Sequence, residues 1–98
     1  MSAEIVTGHV GEWPFPLVDE NPAAWVEISE EHWIYSMEVL PPIYFDGGFA
    51  VSEASHEDAQ GREMYAACVK IGGRFFIRHL AVADMPEAAR TLRATVQP

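Results

Sequence analysis

Two adjacent glycines, Gly72 and Gly73, constrain this chain more than any other feature. They separate two apolar, β-prone runs, Glu63 to Ile71 and Arg74 to Leu80. A two-residue glycine link between such runs specifies a β-hairpin with a primed turn, because those turns need positive φ at the central residues. The register follows: Ile71 faces Arg74, Val69 faces Phe76, and Cys68 faces Ile77. Side chains alternate along a strand. One face therefore presents Tyr65, Ala67, Val69, Ile71, Phe76 and Leu80, and the other presents Met64, Ala66, Cys68, Phe75 and Ile77. Both faces are apolar over part of their length, which predicts cover on both sides. A lone hairpin is marginal in water, so the rest of the chain has to supply further elements.

The clearest of these precedes the hairpin. Ser29 is a helix cap, with Glu30 and Glu31 in the first turn, where the helix dipole favours acids. Trp33, Ile34, Met37 and Leu40 are spaced for one helical face, and Pro41-Pro42 ends the helix. Asn21-Pro22 is an earlier start signal and predicts a turn or two of helix over Ala23 to Ile28. Trp13-Pro14-Phe15-Pro16 reads as extended, since each proline restricts the residue before it. Residues 1–18 are accordingly expected as an extended segment, in which Ile5, Val6 and Val10 could join a sheet edge and Gly8 and Gly11 weaken the pattern. Ile43-Tyr44-Phe45 leads into a turn at Asp46-Gly47-Gly48, and Phe49 to Ala54 forms a strand. Ser55 to Arg62 is a polar loop. Asp84 and Glu87 make a capping-box pattern around Pro86, opening an amphipathic helix through Ala88, Ala89, Leu92 and Val96.

With 98 residues, the chain makes one small α+β domain. The expected fold is a three-stranded antiparallel meander packed with an N-terminal and a C-terminal helix. Its core draws on Trp33, Ile34, Met37, Phe49, Val51, Val69, Phe76, Ile77 and Leu92. An unprotected sheet edge in so short a domain makes a homodimer, through an outer strand, a further expectation.

Charge is distributed unevenly. Residues 1–61 carry twelve carboxylates and no Lys or Arg; residues 62–98 carry six basic residues against three acids. The two parts are −12 and +3, which gives the net −9. Such a surface repels phosphate backbones and attracts basic partners, so direct nucleic-acid binding is not expected. The one cysteine excludes an internal disulfide and fits a reducing compartment. No basic start and apolar run marks a signal peptide, and no apolar run approaches the roughly 20 residues of a membrane span. A cytoplasmic protein is the expectation.

Residues that could carry chemistry do not assemble into a motif. His9, His32, His56 and His79 lack zinc-ligand spacing, and His56-Glu57-Asp58 reads as a solvated loop. Cys68 and His79 project to one face, but nothing supplies an oxyanion hole or an orienting third group. Cys68 is therefore expected to be structural, and His79 to be partly buried with a backbone partner. Neither glycine turn has phosphate-loop spacing. No catalytic residue, cofactor or metal is expected.

Leu40-Pro41-Pro42, the run Gly47-Gly48-Phe49-Ala50-Val51-Ser52-Glu53, and Gly72-Gly73-Arg74-Phe75-Phe76 together resemble a family of short bacterial proteins that accompany plasmids, phages and other mobile elements. The resemblance spans roughly residues 25–80 and implies an accessory, host- or defence-related role. It brings no reaction and no binding residues. The charge pattern favours a non-catalytic interaction module: an acidic-surface inhibitor or nucleic-acid mimic, of anti-CRISPR or anti-restriction type. Its partner would be the basic surface of a host protein, such as one that binds nucleic acid. The contact residues expected are Glu27, Glu30, Glu31, Glu38, Asp46, Glu53, Glu57 and Asp58. The alternatives are a small structural or ligand-binding domain of a mobile element, with a pocket around Trp25, Trp33 and Tyr44, or a small enzyme using Cys68, His56 or His79.

Overall fold

The computed structural model describes residues 2–8 and 13–98. His9, Val10, Gly11 and Glu12 lie outside the described residues. The described residues form a six-stranded mixed sheet with helices on both faces. In chain order it runs β1 (Ile5–Thr7), α1 (Phe15–Glu20), β2 (Trp25–Ile28), α2 (Glu30–Val39), β3 (Pro42–Phe45), β4 (Gly48–Glu57), β5 (Glu63–Ile71), β6 (Arg74–Leu80), a 3-10 turn (Val82–Asp84) and α3 (Met85–Val96). The strand order is β1-β2-β6-β5-β4-β3. This corrects the three-stranded meander with two helices.

The hairpin at the centre forms as the glycines require. Gly72 and Gly73 have φ of +54° and +80°. Val69 pairs with Phe76, Cys68 with Ile77 and Ile71 with Arg74. Both faces are covered. Ala67, Val69, Ile71, Phe76 and Leu80 join Trp25, Met85, Ala89 and Leu92 in one core beneath α3. Ala66, Cys68, Phe75 and Ile77 join Val18, Val26, Ile28 and Phe49 in a second core, against which Phe15 and Leu17 of α1 and Trp33 of α2 pack. Each fully buried large side chain contributes about 1.5–3 kcal/mol.

Three strands enlarge the expected meander. Trp25–Ile28 is a strand, not helix: it pairs antiparallel with β6, and β1 pairs parallel with it. Its side chains are buried on both faces, as an interior strand demands, so Trp25 serves one core while Val26 and Ile28 serve the other. Asn21 does not start a helix but follows one. Its backbone N–H and its side-chain amide both donate to the Leu17 carbonyl, at 3.0 and 2.9 Å. The segment expected to be extended turns helical at Phe15, because Pro14 and Pro16 stand where a helix start needs no N–H donors. Pro42–Phe45 pairs antiparallel with β4. β4 itself runs on through Ser55, His56 and Glu57, which the sequence assigns to a loop.

α2 begins at Ser29, whose Oγ accepts from the His32 N–H at 3.3 Å, and ends where Leu40 turns extended before the prolines. The expected capping box on α3 does not form. Asp84 already has helical backbone angles at the end of the 3-10 turn, and its carboxylate accepts from Arg62 at 3.0 Å. Among the described residues, no helix is long and apolar enough to cross a membrane.

Candidate interaction surface

α2 lies on its sheet face with an unexpected side inward. Trp33 packs edge-on to Phe49 at 5.0 Å between ring centroids and tilted on Phe75 at 5.3 Å. Ser36, one turn on, is the helix's one buried residue, and its hydroxyl donates to the His32 carbonyl at 2.9 Å. A small side chain at this position lets the helix sit close over Cys68. Trp33 and Ser36 therefore form the inward stripe. Ile34 and Met37, expected in the core, are 46% and 45% exposed.

The outward side of α2 is consequently apolar. Among the described residues seven large hydrophobic side chains are exposed, and four of them are Ile34, Tyr35, Met37 and Val39. Trp13 and Tyr44 extend the same surface. The Trp13 ring packs edge-on against Tyr35 at 5.2 Å and His32 at 5.6 Å. Tyr44, 74% exposed, pairs with Phe49 and so projects on the side of the sheet that carries α2. Gathered exposed apolar side chains of this kind mark contact surfaces more often than scattered ones do.

Acids border this apolar patch. Glu30 and Glu31 occupy the first turn of α2, and Glu38 its last. α2 and α1 contain no Lys or Arg. The first two acids suit the helix dipole, but Glu38 opposes it. An anion in that position with no basic neighbour on the helix costs stability, so folding does not account for its presence.

The other acids expected at the contact are elsewhere or already engaged. Glu27 pairs opposite Phe76, which places it on the α3 side, where Arg74 donates to both its oxygens at 2.8 and 3.0 Å. That hydrogen-bonded guanidinium holds the Glu27 carboxyl below its ordinary pKa. Asp58 organises its own loop by accepting from the backbone N–H groups of Gln60 and Arg62 and from Arg62 Nε, each at 2.9 Å. The Arg62 N–H leads in lowering its pKa. Asp46 sits in the β3–β4 turn, next to Gly47, where an added Cβ would come within 2.9 Å of Ala89 on α3. Glu57 lies at the opposite end of the ten-residue β4, across from Glu63. At about 3.3 Å per residue the two ends are roughly 30 Å apart, too far for one patch. Glu53 is exposed in the bulged middle of β4. Only Glu30, Glu31 and Glu38 thus gather on α2.

Cys68 is buried, and burial pushes its thiol up to about 12, with the Ser36 hydroxyl opposing, so it is held as the unreactive thiol. His79 has a carboxylate neighbour in place of the expected backbone partner: its Nδ1 lies 3.4 Å from Asp19. Trp25, Trp33 and Tyr44 do not share a pocket. Trp25 is in the core beneath α3, Trp33 packs on the other face, and Tyr44 is at the sheet edge. Among the described residues no three His, Cys, Asp or Glu side chains converge on a metal-sized site.

The sequence does hold a signal for the outward surface. Within α2, apolar residues stand at positions 33, 34, 35, 37 and 39, more than one 3.6-residue stripe can bury. Compared with family models, with curated proteins and with solved structures, the chain matches none.

Proposed function

We propose that this protein is a non-catalytic interaction module of the cytoplasm. It occupies a basic site on a partner protein, in the manner of an acidic inhibitor standing in for nucleic acid. The contact centres on the outward side of α2. Ile34, Tyr35, Met37 and Val39, with Trp13 and Tyr44, supply the apolar centre, and Glu30, Glu31 and Glu38 supply the charge. The observation that carries this reading is the coincidence of exposed apolar side chains with uncompensated carboxylates on one cation-free helix. The apolar centre provides affinity, and the acids speed the encounter and select a basic surface.

The test is capture of partner on immobilised protein, compared between variants. Wild type is expected to retain a basic, nucleic-acid-binding protein in low salt and to lose much of it in high salt. Both Glu30→Lys/Glu31→Lys and Ile34→Gln/Met37→Gln should lose that protein, whereas Glu87→Lys, on α3, should keep it. Retention by both α2 variants would refute the proposal. Asp46→Lys and Glu57→Lys examine the ends of β4 and are expected to change capture little.

A further inference from the structure

An open cleft of about 630 Å³ lies between α1 and the ends of β4, β5 and β6. Its apolar walls are Phe15, Val18, Pro22 and Met64. Ligand sites commonly have this size and character, with a few polar groups fixing orientation. Here the polar groups are Asp19, Ser55, His56 and His79.

A deviation of the backbone brings His56 to the cleft. Between Ala54 and His56 the β4 strand takes two steps where β5 takes one, from Tyr65 to Met64. With unbroken alternation His56 would share the side of Ala54 and Tyr65, facing away from α1. The bulge turns it instead to the side of Met64, where its ring centroid is 5.2 Å from that of His79. Bulges re-aim side chains in this way beside functional sites.

His79 is only 6% exposed. The Asp19 carboxylate 3.4 Å from Nδ1 favours the ring proton on that nitrogen. Nε2 is then a bare acceptor, and it is buried without a hydrogen-bond partner among the described residues, a condition native structures rarely leave unexplained. The Phe15 ring stacks against the imidazole with centroids 6.2 Å apart. Among the described residues no Lys or Arg lines the cleft, and Asp19, whose side chain is 65% exposed, is the one carboxylate that does. Among the described residues an anion therefore finds no cationic side chain here, whereas a donor-rich cation finds a carboxylate and an aromatic face, with the His79 acceptor buried behind them.

We infer that this cleft binds a small organic cation, a primary ammonium carried on an aromatic or branched apolar body. The ammonium sits against Asp19 and Phe15 with the His79 acceptor behind them, and the body lies along Val18, Pro22 and Met64. This site is separate from the outward side of α2 and does not depend on the role proposed for it.

The test is an NMR titration of the intact protein, observing the imidazole signals of His56 and His79. The probes are phenethylamine, its anionic counterpart phenylacetate, and neutral 2-phenylethanol. Phenethylamine should give saturable shifts, phenylacetate none, and 2-phenylethanol weaker ones. Asp19→Asn should weaken phenethylamine binding at least about tenfold. Glu20→Gln, which removes a neighbouring charge outside the cleft, should leave it unchanged. Both altered carboxylates are exposed, so the fold survives their loss. Absence of saturation, equal binding of phenylacetate, or an equal loss in both variants would overturn the inference.

Discussion

Two variants of α2 distinguish its sides by stability alone. Trp33→Ala removes an indole that packs on both Phe49 and Phe75. Aromatic-to-alanine changes in a core cost about 3–5 kcal/mol, and the partial exposure of Trp33 places it near 3. Ile34→Gln/Met37→Gln alters two side chains that already leave nearly half their surface in water, and glutamine is a good helix former. Its combined cost is below about 1 kcal/mol. In a domain of this size each kcal/mol moves Tm by about 4–8 °C. Thermal denaturation followed by circular dichroism should therefore show a fall of about 12–24 °C for Trp33→Ala and less than about 8 °C for the double variant. Equal falls would refute the assignment of Ile34 and Met37 to the outer surface, and the proposed contact with it.

Other outcomes follow from single contacts. Replacing Glu38 by lysine removes an anion from the α2 C-terminus, so stability should rise by roughly 0.3–1 kcal/mol in a denaturant titration while partner capture weakens. Gly48→Ala would drive a Cβ into the Cys68 carbonyl oxygen on β5, and a loss of about 3 kcal/mol or failure to fold is expected on expression and melting. Burial lowers the pKa of His79 below its ordinary 6.5; Asp19 opposes it, and His56 adds a smaller lowering. Its contribution to stability is therefore full above that value and is lost as pH falls below it. Melting between pH 7.5 and 5.5 should show the decline, and His79→Gln should flatten it. Cys68, pushed up to about 12 and buried, should resist iodoacetamide in the native protein and react on unfolding.

The hairpin was legible because its determinants are local. Two glycines fix the turn, the turn fixes the register, and alternation then assigns Val69 and Phe76 to one core and Cys68 and Ile77 to the other. The Ser29 cap and the Pro41-Pro42 stop were legible for the same reason. Trp25–Ile28 was not, because an interior strand covered on both faces loses its alternation, and Asn21-Pro22 can follow a helix as readily as begin one. Pro42–Phe45 became a strand through pairing with distant β4, which no local signal announces. The rotation of α2 hinged on Ser36: a small polar residue took the inward position and displaced Ile34 and Met37 outward. The lopsided charge was visible in the residue order. Its division was not, because the pairing of Glu27 with Arg74 spans 47 positions along the chain, and the Asp58 loop closes through backbone N–H groups. The cleft depends on the β4 bulge, which exists only once Ala54 and His56 have found their partners on β5.

Amide hydrogen exchange on the captured complex tests the interaction surface most directly. Slowed exchange confined to α2 and β3, with α3 exchanging as in the free protein, is the expected result. Slowing centred on α3, or α2 exchanging at the same rate free and bound, would contradict it.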